Sequence, residues 1–155
     1  MPRSTRTRRR APEPRPERGL VDTSVVIDLE SLDRASLPGE LAISTVTLAE
    51  LAAGPHATED AEERARRQER LQRTEATFDA LPLDDSCARA YGRVYSAVAS
   101  AGRKARGPRV LDLLIAATAA AHELPLYTLN PDDLRGLDAL LEVVAVAAGP
   151  AGSES

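Results

Sequence analysis

An α/β fold with a central, mainly parallel sheet flanked by helices is predicted by three features of this sequence. Short apolar segments of strand length alternate with longer helical segments along the chain, the signature of βα units around a parallel sheet. The length, 155 residues, is that of one domain, and 43% apolar content is enough for one core. One Phe, three Tyr and no Trp leave Ala, Leu and Val to build that core.

The elements follow in order. Folding is expected to start at Gly19: "GLVD" reads as a short buried strand, and "SVVIDLESL" as a helix opened by the capping cluster Asp22-Thr23-Ser24. "LPGE" (37–40) is a turn, "LAIS" (41–44) a strand, and "TVTLAELAAG" a helix stopped by Gly54-Pro55. Residues 58–80 form a long charged helix with acids at its start and Arg in its middle, as the helix dipole and i,i+4 pairing favour. Its face is read as solvated, with a partner surface as the sharper alternative. "LPLD" (81–84) is a third strand, and "DSCARAYGRVYSAVASAG" an amphipathic helix ending at Gly102. After the basic loop "RKARGPR" (103–109), "VLDLLIAATAAAHEL" (110–124) is a nearly all-apolar helix and "LYTL" (126–129) a strand. "NPDDLRGL" is a short helix with Asn130 as N-cap, Pro131 at N1 and acids behind it. "LEVVAV" (141–146) is the last strand, and residues 149–155 fray.

Residues 1–18 carry seven Arg and two Glu, net +5, which leaves −9 on the rest of a chain whose total is −4. With Pro at 2, 12, 14 and 16 and no apolar periodicity, this tail is expected to be disordered. "RRR" is not followed by the apolar stretch of an export signal. The tail is read either as a basic arm for nucleic acid or as a start assigned too far upstream. No apolar run approaches the roughly 20 residues a membrane span needs. The single cysteine, Cys87, rules out an internal disulfide, fits a reducing cytoplasm and is read as a core residue. His56 and His122 are read as surface or cap residues.

Four acids carry the chemistry. Glu50 sits inside "LAELAA" and Asp112 inside "VLDLLIAA", among apolar neighbours. A buried carboxylate without a partner costs several kcal/mol. Asp22 ends the first strand, and Asp133 lies just past "LYTL". In a doubly wound sheet ligands gather at the carboxyl ends of the strands, so all four can face one end. Like charges a few Å apart repel by about 3–4 kcal/mol per pair at an effective dielectric near 20. Two arrangements satisfy them: separate ion pairs, with Arg109 the donor for Asp112, or one cluster holding a cation. Oxygen-only ligands select Mg²⁺ or Mn²⁺ rather than zinc.

"VDTSVVIDLE", "ISTVTLAELAAG" and "DLLIAATAAAHELPLYTLNPDDL" together resemble the PIN-domain ribonuclease toxins of type II toxin–antitoxin modules, the VapC kind. The resemblance spans nearly all of residues 19–146, and the domain is bounded at 19–148. It implies a PIN-like three-layer fold and a catalytic quartet at Asp22, Glu50, Asp112 and Asp133. Asp22 and Asp112 would be direct metal ligands, Glu50 and Asp133 direct or water-mediated ones. Thr23, Ser24, Thr128 and Asn130 match the family's supporting polar positions. The activity implied is Mg²⁺- or Mn²⁺-dependent endonucleolytic cleavage of single-stranded or loop RNA, neutralised by a cognate VapB-like antitoxin, in a homodimeric cytoplasmic toxin. Helix 58–80 and its neighbours are candidates for the antitoxin groove.

The chain departs from the pattern at Leu129, where many members carry a basic residue, and in its Arg-rich tail. Asp132 beside Asp133 leaves two candidates for one position, and the N-x-x-D spacing favours Asp133. Arg103, Lys104, Arg106 and Arg109 form a basic ridge for phosphate contacts, and scarce aromatics predict recognition of RNA by shape and backbone. Three rivals were weighed. A haloacid-dehalogenase phosphatase wants an Asp where Ser24 stands, and a receiver domain wants a late-strand lysine where this chain has only Lys104. A flap-type nuclease needs extra helical segments. The alternative of another class is a catalytically silent PIN-like module that binds RNA or protein.

Overall fold

The computed structural model describes residues 18–103, 107 and 109–150. Four strands, β1 (Arg18–Val21), β2 (Glu40–Ala42), β3 (Leu126–Thr128) and β4 (Val143–Ala145), pair in the order β2-β1-β3-β4, every pairing parallel. The helices are α1 (Thr23–Asp28), α2 (Thr45–Ala53), α3 (Ala61–Thr77), α4 (Asp85–Ser100) and α5 (Arg109–Ala121). Parallel neighbours need crossover connections, and the helices supply them.

Alternation along each strand divides the interior into two layers. Leu20 and Leu126 join a core with Ala90, Val94 and Val98 of α4 and Leu113, Ile115 and Ala116 of α5. Their strand neighbours Val21 and Tyr127 join the opposite core, with Val25 and Val26 of α1, Leu51 of α2 and Leu71 from α3. Helices therefore cover both sheet faces, and the strands read as continuous apolar runs. A Cβ on Gly19 would run into the Tyr127 ring, so that position of β1 admits glycine alone without displacing the ring.

Several boundaries differ from expectation. β1 begins at Arg18, whose guanidinium lies 3.7 Å from Glu40 across the pair to β2; residues 1–17 and 151–155 fall outside the described residues. The helix after Asp22 is α-helical only to Asp28 and tightens to a 3-10 turn over Leu29–Ser31. α3 starts at Ala61, because Asp60 caps it by accepting from the amides of Glu62 and Glu63. "LPLD" is no strand: Leu81 exchanges two backbone bonds with Ile43 and Thr45 in an isolated bridge, and Pro82 offers no N–H to extend it. "NPDDLRGL" forms only a 3-10 turn, Pro131–Leu134, and Asn130 makes no side-chain capping bond there. Near the C-terminus the chain is still tied in, with the Gly149 amide donating to the Ser31 carbonyl at 2.8 Å. No helix among the described residues is long and apolar enough to cross a membrane.

Candidate active site

Backbone pairing sets the site. The Asp22 amide donates to the Tyr127 carbonyl at 3.1 Å, which places Asp22 at the carboxyl end of β1 beside Thr128 of β3. Its side chain then caps α1, accepting from the Val25 amide at 3.1 Å and the Ser24 hydroxyl at 2.6 Å. The carboxylate is thus both a helix cap and a member of the site, with Oδ1 taking both bonds.

Asp22, Ser24, Asp112, Thr128, Asn130 and Asp133 line one small cavity of about 60 Å³, closed by Leu126 and Leu134. Asp112 projects from the first turn of α5. Thr128 is buried, and its hydroxyl accepts from the Asn130 amide at 3.0 Å, which fixes the turn leaving β3. Asp133 reaches the cavity. Asp132 turns away, pairing with Arg135 at 3.1 Å, and its carbonyl accepts from Arg103.

Glu50 and Thr23 lie beside this group and line a second cavity of about 280 Å³ with Arg67 and Arg70. The Thr23 hydroxyl donates to Glu50 Oε1 at 2.8 Å and lies 3.1 Å from the Thr47 hydroxyl. Thr47, fully buried, receives the Ser44 hydroxyl at 3.4 Å, and Ser44 caps α2 by accepting from the Thr47 amide at 3.1 Å. Thr47 and Ser44 had no assigned role in the sequence. Their signal was there, a Ser three residues before a Thr that sits one helical turn before Glu50.

The electrostatics identify the four acids as one group. Asp112 is exposed as a residue, yet enough protein surrounds its carboxyl that partial burial pushes its pKa above the ordinary aspartate value; the charges of Glu50, Asp22 and Asp133 add to this, in that order. Arg109 is the opposing influence. The expected Arg109–Asp112 pair is not the one that forms: the Arg109 guanidinium lies 3.7 Å from Asp133. Among the described residues one arginine stands at salt-bridge distance from the four carboxylates, so this group together carries net negative charge. Lys104 and Arg106 of the basic ridge lie outside the described residues.

The donor set is oxygen throughout and the local charge is negative, which fits a hard divalent cation. Among the described residues, the set of ligand-type side chains whose donor atoms all lie within 4.8 Å of one another is a different one, Asp84, Cys87 and His122.

Residues 19–140 match the PIN domain family. The chain is 40% identical over 136 residues to Ribonuclease VapC5 of Mycobacterium tuberculosis, covering 84% of this chain and 97% of that protein. It is 36% identical over 102 residues to Ribonuclease VapC8 of the same species, covering 65% of this chain and 89% of the relative. The crystal structure of VapBC-5 from Mycobacterium tuberculosis, a member of the VapBC family of toxin–antitoxin systems, superposes with a TM-score of 0.73 at 38% identity, over 86% of this chain and 100% of that one.

Proposed function

The chain belongs to the PIN-domain family, and on that premise we propose that it is a VapC-type endoribonuclease toxin that cuts single-stranded or loop RNA in a tRNA, rRNA or mRNA, blocks translation, and is silenced by a VapB-like antitoxin. The observation that carries the reading is the convergence on Asp112 of Asp22 and Asp133 in one cavity, with Glu50 of α2 beside them, in keeping with the raised pKa of Asp112. A catalytically silent module finds no support: the sequence relatives are named ribonucleases.

Asp22 and Asp112 hold the divalent cation, Mg²⁺ or Mn²⁺, with Glu50 and Asp133 as direct or water-mediated ligands. Such an ion, when bound, supplies positive charge for the scissile phosphate and acidifies the attacking water. The chain's own residues prepare that site. Ser24 anchors one oxygen of Asp22, whose side chain lines the cavity. Thr23, backed by the buried Thr47, orients Glu50. Thr128 fixes the turn that delivers Asp133. Arg109, close to Asp133, is the phosphate contact best placed to act with the cation, and Arg103, Lys104 and Arg106, near it in sequence, are the further candidates. Neutralising Arg103, Lys104 and Arg106 lowers RNA affinity and flattens its salt dependence; an unchanged salt slope would remove the ridge from the proposal.

The antitoxin is assigned to the groove between the end of α1 and α3, a cavity of about 400 Å³ lined by Val26, Ile27, Leu29, Thr74 and Phe78, with Arg70 and Arg73 at its edge. Ile27 is 43% exposed there, an apolar side chain with nothing over it. As in the family, the toxin is expected to dimerise.

Induction of the parent and of Asp22→Asn, with mapping of RNA 5′ ends, tests the activity. Growth arrest and new 5′ ends are expected for the parent only. Equal toxicity with the same cut sites in both would refute it.

A further inference from the structure

A second cluster of ligand-type side chains lies away from the carboxylate cleft. We propose that Asp84, Cys87 and His122 form a zinc site that fastens the start of α4 to the end of α5. One carboxylate oxygen, the thiol sulfur and one ring nitrogen lie within 4.8 Å of one another. They come from two segments 35 residues apart, the D-x-x-C that opens α4 and the turn that follows α5.

Three features make this more than proximity. His122 Nε2 is shielded from solvent and has no hydrogen-bond partner, the one such buried side-chain nitrogen or oxygen among the described residues. A buried nitrogen left so costs about 1–3 kcal/mol, and a cation would satisfy it. Cys87 is fully buried; its thiol makes a 3.6 Å contact to the Pro82 carbonyl and also interacts with the Asp84 carboxylate. Asp84 Oδ1 accepts from the Ser86 hydroxyl at 2.7 Å and the Cys87 amide at 3.0 Å, which holds the carboxylate beside Cys87.

The donor set decides the ion. Oxygen, sulfur and nitrogen together favour Zn²⁺, where the carboxylate cleft favours a hard cation. Zinc ligands stand ~2.0–2.3 Å from the ion, so these atoms need to close by about 1 Å. Asp84 is exposed, and its side gives the ion a way in. Water completes the coordination. The cluster is independent of the nuclease site: His122 is ten residues beyond Asp112, about 15 Å further along the α5 axis.

Cobalt substitution in the full-length, EDTA-treated protein tests it, because Cys87 is the only cysteine and any sulfur-to-cobalt absorption band must arise from it. One equivalent of Co²⁺ is expected to give that band and Zn²⁺ to abolish it. Cys87→Ser loses the band. His122→Gln and Asp84→Asn, the latter retaining a good helix cap, weaken Zn²⁺ binding by more than the ~10-fold that follows loss of an outer-shell partner. The zinc-induced rise in Tm persists in Asp112→Asn. Absence of a sulfur band, or equal Zn²⁺ affinity in His122→Gln and Asp84→Asn, overturns the site even if Cys87→Ser does not fold.

Discussion

Two groups of acids in this molecule are handled in opposite ways. On α3, Glu63 faces Arg66 at 2.7 Å and Arg67 at 3.0 Å, and their hydrogen bonds hold its pKa below the ordinary value. Arg67 also donates to the Gly54 carbonyl and Arg64 to the carbonyls of Pro55 and Thr58, so the basic side chains of this helix tie it to the end of α2. At the carboxyl end of the sheet the acids meet one another, and Asp112 is pushed up instead of down. The same side-chain chemistry is spent on holding the fold in one place and on retaining an unbalanced charge in the other. An acid with local cations is structural; an acid whose neighbours are acids is waiting for something else.

The contrast is open to attack at both ends. The largest effect is expected for Asp22→Asn and Asp112→Asn, which lose several kcal/mol of transition-state stabilisation, about 10³-fold in cleavage rate, measured on end-labelled RNA at matched circular dichroism. Retained cleavage in both would dissolve the distinction between the two groups. Next comes metal linkage: at Mg²⁺ or Mn²⁺ concentrations about 100-fold above Kd the wild type gains ~2.7 kcal/mol, or about 5–10 °C in Tm. Asp112→Asn gains a small part of this in the same calorimetric scan.

A smaller effect separates charge from metal. The folded pKa of Asp112 is raised, so its penalty is absent below the ordinary value of 3.8 and complete once pH has risen past the raised value. In EDTA, Asp112→Asn is therefore expected to be more stable than wild type at neutral pH, by no more than about 1 kcal/mol after solvent screening, and to lose the advantage near pH 3. The smallest effect belongs to Glu63→Gln. Glu63 has a lowered folded pKa, so its contribution is present above the unfolded value of 4.5 and disappears as pH falls through the folded one. The change in Tm is slight at low salt and vanishes at high salt. A loss larger than that of any cleft variant would reverse the ranking.

The sequence reading reached the acids because Glu50 and Asp112 break the apolar pattern of their own segments, and a local anomaly is visible without tertiary structure. The parallel sheet was legible for the same reason, since strands covered on both faces read as unbroken apolar runs. What it could not reach depended on distant partners. Arg109 is one turn from Asp112 in sequence, yet it leans on Asp133, which arrives from the other side of β3. Asn130 has the residue type of a cap, but the Thr128 hydroxyl already holds its amide and the turn is 3-10, so no capping bond forms. "LPLD" has the apolar content of a strand and lacks the N–H at Pro82 that a strand needs. His122 looked like a surface residue because the packing of α4 over the end of α5, which shields Nε2, is invisible from the chain around it.

The doubled duty of Asp22 has a practical consequence. Asparagine caps a helix as well as aspartate does, so an amide at position 22 silences the charge while α1 keeps its start. With Asp22 in the proposed catalytic role, a host that the parent would poison is expected to produce this variant in quantity without antitoxin, and transcripts held by it are expected to stay whole for recovery and sequencing.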